Sequence, residues 1–239
     1  PVMYKGATTE IKEAVGQVCP DLVYPNEADW GFVKVDLDEK SLDSVQKHIN
    51  SIDSATMRLM LWQSLSDSVR DAKLSADKFV HFAIANIEDE TDYNVVRKIA
   101  GSLTTALRYL TTATRLEQKD YSDLYRDVED LYLRLLEKAE AGSDLQKMWY
   151  SRYVAVSKTD KHLKHLLNIL QGEQSYDGLT VDQDKRWDIV QQLSRYQHGS
   201  YNAILEAEKA KDSSDSGVKS AIYAEVMQPD EQVKAKWFD

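Results

Sequence analysis

Apolar residues in most of this chain recur every three to four positions, and little interrupts them. Met57, Leu61, Leu65 and Val69 stand four apart, and Leu59, Met60 and Trp62 widen the same stripe. Val95, Val96, Ile99, Leu103, Leu107 and Leu110 repeat the pattern, as do Leu124, Val128, Leu131 and Leu135, and then Leu163, Leu166, Leu167 and Leu170. This spacing fits one face of a 3.6-residue helix, whereas a strand alternates with period two. Glycine and proline, the residues that end helices, number only 9 and 4 in 239. Long helices joined by short turns are therefore expected. A stripe as wide as that of residues 57–69 implies burial on two sides, as in stacked helical layers.

From about residue 39 onward, roughly ten such segments follow one another. Capping signals stand at Asp53 or Ser54, Ser75, Thr91 or Asp92, and Thr159 or Asp160. Ala141, Gly142, Ser143 and Asp144 make a clear break, and residues 171–180, with Gly172 and Gly178, form the longest polar loop. The fold class expected is all-α: a HEAT-like solenoid of paired antiparallel helices across 39–239, with an irregular helical globule as the alternative.

The first 36 residues read differently. Val2, Met3 and Tyr4 are β-prone, Lys5-Gly6-Ala7 is a turn signal, and residues 8–15 alternate partly, like the second arm of a hairpin. Residues 20–38 form a linker that holds Pro20 and Pro25, with one more short strand expected at 32–37. An isolated hairpin is marginal in water. The chain thus reads as a piece of something larger, beginning in a domain remnant at 1–19 and stopping short at Asp239.

Charge and cysteine usage limit the partners. Forty acidic residues against 30 basic give a net charge of −10, which disfavours a nucleic-acid backbone or an anionic membrane surface. No run approaches the ~18 apolar residues of a membrane span. Cys19 is the sole cysteine, so no internal disulfide is possible, and a reducing, cytoplasmic setting fits.

Chemistry-bearing constellations are sparse. No HExxH and no glycine-rich phosphate loop is present. His162 and His165, three apart on one helix face, would need a third protein ligand for catalytic zinc; the adjacent Lys161 and Lys164 repel a cation, so no metal site is expected. Cys19 has no base near it in sequence and is not expected to be a nucleophile. Asp36 with Asp38, and Asp89 with Glu90, read as solvated turn carboxylates used for capping and solubility, not as a general-acid pair. His81 reads as a helix-surface or core-edge residue, and His48 and His198 as helix-end cations. Trp62, Trp149 and Trp187 read as core. Tyr150, Tyr153, Tyr196 and Tyr201 are candidates to line a groove, with half-buried packing as the competing reading. No catalytic, cofactor-binding or metal-binding residue is assigned.

Four stretches carry a family resemblance. Residues 22–38, LVYPNEADWGFVKVDLD, resemble the start of the C-terminal domain in aminopeptidase N-type zinc metallopeptidases. Residues 60–71, MLWQSLSDSVRD, are similar to an LWxxLxDxxRD helix of that family. Residues 184–190, DKRWDIV, are similar to a later RW helix. Residues 229–238, with Lys234, Lys236 and Trp237, resemble a P…K…W helix of that family. The likeness is strongest to bacterial enzymes whose C-terminal domain is like that of the endoplasmic-reticulum aminopeptidases.

The resemblance implies a parent with a β-saddle, a thermolysin-like zinc domain and a small β-sandwich ahead of a helical solenoid. Residues 1–19 would then be the tail of the β-sandwich. Zinc, its ligands, the HExxH glutamate and the GxMxN motif would lie upstream, leaving this fragment catalytically silent. The implied role is to cap the active site, admit peptides with free N-termini and offer surface to their distal part. The implied partners are the catalytic domain of the same chain and peptide substrates. Asn26, Asp29 and Trp30, at the junction, are candidates for contact with that domain; a local turn capped by Asn26 or Asp29 is the competing reading. The alternative function is an independent helical-repeat scaffold that binds a protein partner. An all-α enzyme with its own pocket would need a convergent polar cluster that the sequence does not display.

Overall fold

The computed structural model describes residues 6–117 and 119–238. Eleven α-helices occur among them: α1 (Glu39–His48), α2 (Ala55–Arg70), α3 (Ala76–Ile87), α4 (Tyr93–Glu117), α5 (Ser122–Lys138), α6 (Asp144–Val156), α7 (Asp160–Gln171), α8 (Gln183–Arg195), α9 (Tyr201–Lys211), α10 (Asp215–Val226) and α11 (Glu231–Phe238). The all-α, repeat-like architecture of paired helices is as the periodicity implies.

Side chains fix where the helices start. Asp38 accepts from Ser41 N at 2.8 Å to cap α1, Ser54 from Met57 N at 3.2 Å for α2, and Asp92 from Val95 N at 3.1 Å for α4. Ser143 caps α6 through Gln146 N at 3.1 Å. Each bond satisfies a donor that the first helical turn leaves free. At α7 neither Thr159 nor Asp160 provides this; the carboxylate of Glu129 on α5 does, accepting from Lys158 N, Thr159 N and Thr159 Oγ1 at 2.6, 2.9 and 2.8 Å.

The even-numbered helices form one layer, with α2 packed on α4, α4 on α6, α6 on α8 and α8 on α10. The odd-numbered helices cover it: α3 packs on α4, α5 on α6, α7 on α8, and α9 on both α8 and α10. A continuous apolar core runs between the layers from Val45 to Ala224. Trp62, Trp149 and Trp187 are all in it, Trp62 against the rings of Phe79 and Phe82 with centroids 6.0 and 5.0 Å apart. The long polar loop docks on the α5–α6 turn through Gly178, where φ is +75° and an added Cβ would stand 2.2 Å from Gly142 N. Two bidentate pairs stitch helices together, Arg58 with Glu90 and Arg186 with Glu208, every one of the four bonds 2.7 Å long.

Several expectations need correcting. No strand occurs among the described residues. The first hairpin arm at residues 2–4 lies outside them. The second arm is instead irregular, with a single 3-10 turn at Lys12–Ala14 and Ile11 and Val15 exposed. Its partial alternation finds no partner backbone there, and strands exist only in pairs. Residues 32–37 are extended and their alternation is real, but they face helices. Val35 and Leu37 turn to the core, while Lys34 and Asp36 form ion pairs with Asp71 and Lys73 beyond the end of α2. Glu90 is not a solvated carboxylate: its side chain is 1% exposed and gripped by Arg58. Tyr150 and Tyr153 are core residues that line no groove, because each buried hydroxyl finds a partner: Lys185 O at 3.4 Å and His162 Nδ1 at 3.0 Å.

Candidate binding surface

At the entry to the helical body, Asn26 folds the chain into a tight turn. Its Oδ1 accepts from Gly31 N at 2.8 Å, and its Nδ2 donates to Gly31 O at 2.9 Å and to Asp29 Oδ1 at 3.1 Å. Ala28 and Asp29 adopt φ of 54° and 57°, uncommon for residues with a Cβ. The turn aims Trp30 and Phe32 into solvent, 91% and 111% exposed, with Val33 also exposed. Asn26 and Asp29 thus work inside the turn, and Trp30 is what the turn displays.

The sequence-designated histidines share a face of α7 but are occupied. His162 is fully buried, with Nδ1 on Tyr153 Oη at 3.0 Å and Nε2 on Asp130 Oδ1 at 3.1 Å. His165 Nε2 meets Tyr176 Oη at 2.9 Å. Burial pushes both imidazoles down from their usual value, in His162 against the opposing pull of Glu129 and Asp130. At Asp130 burial acts upward but is outweighed by Lys161 and His162, so the carboxyl lies below its usual range. With both ring nitrogens of His162 committed, and no cluster of three His, Cys, Asp or Glu placed to hold an ion among the described residues, these residues do not fit zinc. Cys19 is exposed, and His198 Nε2 lies 3.0 Å from Asp160 Oδ1.

What concentrates unused chemistry is the even-helix layer. A hollow of about 760 Å³ opens between α2, α4 and α6. Two smaller ones, of about 370 and 300 Å³, continue it along α6 to α8 and the end of α10. The first two share Arg152 and the last two share Ser151, so together they make one groove. Phe79, Ala106, Leu59 and Val69 give the large hollow apolar walls, and Ser66 and Ser102 bridge α2 and α4 with a hydroxyl–hydroxyl bond of 2.7 Å.

Four cations enter this hollow, Arg70, Arg97, Lys98 and Arg152, against one carboxylate, Asp67. Asp67 is already engaged by Gln63 Nε2 at 2.9 Å and Arg70 Nη1 at 3.4 Å. Burial, with Arg70 adding to it, pushes the Lys98 ammonium below its usual value although Asp67 acts the other way. Farther along, burial and the neighbouring Asp184 and Asp182 push the Asp188 carboxyl up.

Sequence reasoning passed over these cations because they come from three helices up to 82 positions apart, 152 minus 70. The signal that was available is Arg97-Lys98, two charges set inside the apolar run of Val95, Val96, Ile99 and Ala100.

Comparison with known proteins agrees with the architecture. The curated Aminopeptidase N of Streptomyces lividans is 30% identical over 231 residues, 97% of this chain and 26% of that protein. The chain therefore spans about a quarter of the length of this relative. No described helix is long and apolar enough to cross a membrane. The family described as ERAP1-like C-terminal domain matches residues 22–239, and the chain belongs to it.

Proposed function

We propose that this chain is the non-catalytic C-terminal domain of a zinc-dependent aminopeptidase that removes N-terminal residues from peptides. In this reading residues 1–19 belong to the end of a preceding β-sandwich, 20–38 are a linker, and 39–239 form a solenoid that caps the catalytic domain of the same polypeptide. Trp30 and Phe32 are the contact with the preceding domains, held out by the Asn26–Asp29 turn. Zinc and the reacting groups belong, in this reading, to the catalytic domain. The setting is cytoplasmic, with neither nucleic acid nor membrane as partner. The observation that carries the reading is the groove on the even-helix layer, apolar in its walls and lined with polar and charged groups. That is what a surface needs to hold the distal part of a peptide without reacting with it.

The test uses the enzyme that contains this chain. A peptide of about ten residues spans roughly 33 Å when extended, enough to run from an active site onto this surface, whereas an aminoacyl amide is not. Arg152→Glu is expected to lower the ratio of kcat/KM for such a peptide to that for the amide. Equal losses on both substrates would overturn the reading.

A further inference from the structure

The large hollow holds more positive charge than a single carboxylate can neutralise. Arg97, Lys98 and Arg152 have no hydrogen-bond or ion-pair partner for their charged groups among the described residues, and Arg70 has the long contact to Asp67. By contrast, Arg58 and Arg186 each grip a buried glutamate through two bonds of 2.7 Å. The excess therefore stands out in a chain whose net charge is −10. Lys98 is half-buried, so part of its hydration is lost, and the attraction of Asp67 does not make up for it. The wall between these charges is apolar and carries Tyr109 at its rim, which suits the alkyl stems and backbone of an extended segment.

Resting on the peptide-groove reading above, we propose that the hollow between α2, α4 and α6 selects acidic peptide segments, binding a run of two or three Asp or Glu side chains against Arg97, Lys98 and Arg152. The commitment is to side-chain carboxylates. One terminal carboxylate would answer one cation and leave the other two as they are. The site makes the domain specificity-determining: peptides with an acidic distal stretch are held, and equally long neutral ones are held less well.

The test is fluorescence anisotropy on the full chain with two labelled twelve-residue peptides, both amidated at the C-terminus. They differ only in having Glu-Glu-Glu or Gln-Gln-Gln near that end. Partly exposed ion pairs are individually weak, and three together amount to about a tenfold preference for the Glu peptide, shrinking as salt is raised. Arg97→Gln with Arg152→Gln, which leaves Lys98, is expected to cut the preference to about twofold. Arg152→Glu is expected to shift it toward a Lys-Lys-Lys peptide, a gain that a misfolded variant would not show. Equal binding of the Glu and Gln peptides overturns the acidic preference and leaves the groove reading standing; binding of neither overturns both. A Gln peptide with a free C-terminal carboxylate that binds as tightly as the Glu peptide also overturns it, by placing the selectivity at the terminus.

Discussion

The seam between α5 and α7 and the groove across α2, α4 and α6 handle enclosed polar groups in opposite ways. In the seam, Glu129 takes three hydrogen bonds at the start of α7, and Asp130, His162 and Tyr153 form a closed chain of bonds. In the groove, Arg97, Lys98 and Arg152 form no ion pair among the described residues. Both regions are made of ordinary helical segments with similar apolar stripes, so the difference is one of pairing. Groups committed to each other hold the fold; groups left over are available to a ligand. Substitution in a stitched seam should therefore cost stability, and substitution in the groove should cost binding.

The largest effect is expected where a stitch is broken from one side. Arg186→Met leaves Glu208, whose side chain is 2% exposed, with only the Gln183 amide and the more distant Lys211 ammonium. Stranding one member of a buried pair costs about 3–5 kcal/mol, read as a lower urea midpoint. A loss under about 1 kcal/mol would put Arg186 in the same class as the groove cations and dissolve the distinction. Glu129→Ala comes next. It strips Lys158 N, Thr159 N and Thr159 Oγ1 of their acceptor at the start of α7 and should cost about 2–3 kcal/mol, the desolvation of the donors left behind. If instead α7 frays and water satisfies those donors, the loss will be small, and the seam owes its order to apolar packing.

The histidine chain gives the seam a pH signature of its own. His162 and His165 both have folded values depressed below the ordinary 6.5. The unfolded state then binds the proton more readily, so stability is full above about pH 6.5 and falls as pH drops from there toward the folded values. Asp130, also depressed, extends the loss below its ordinary 3.8. Urea midpoints between about pH 7.5 and 5 should therefore decline, and His162→Phe should flatten the slope while lowering stability overall. A slope unchanged by that substitution would locate the proton uptake elsewhere.

The helical body was legible in the sequence because its signals are local. The 3.6 period marked the stripes of α2, α4, α5 and α7, and Ser54, Asp92 and Ser143 sit where the breaks fall, since a cap acts on residues two or three ahead. What was illegible depends on partners far along the chain. Glu90 reads as a turn carboxylate until Arg58 arrives from 32 residues earlier, and Thr159 reads as a cap until Glu129 displaces it from 30 residues earlier. Tyr153 reads as a groove residue until His162 takes its hydroxyl. The alternation at 8–15 failed for the same reason reversed, as a strand pattern without a partner in reach. Of the junction residues, Asn26 and Asp29 were legible as turn formers, and the display of Trp30 was not, because exposure is a property of what packs nearby.

The smallest effect on stability, and the sharpest separation of the two regions, is expected at Arg97. Its side chain is exposed, forms no ion pair among the described residues, and shares the hollow with Arg70, Lys98 and Arg152, whose like charges repel it. Arg97→Gln keeps hydrogen-bonding capacity and most of the stem while removing that repulsion. The unfolding free energy should stay within about 0.5 kcal/mol of the parent, as for surface sites away from special interactions, and relief of repulsion makes a slight gain the favoured sign. Affinity for the Glu peptide should drop in the same variant. A residue that costs little or nothing to lose in the free protein, and something to lose when an acidic segment is bound, owes its presence to the ligand. A drop in stability above about 1 kcal/mol, with peptide affinity intact, would instead make Arg97 part of the fold's own pairing, and the groove would be a seam like any other.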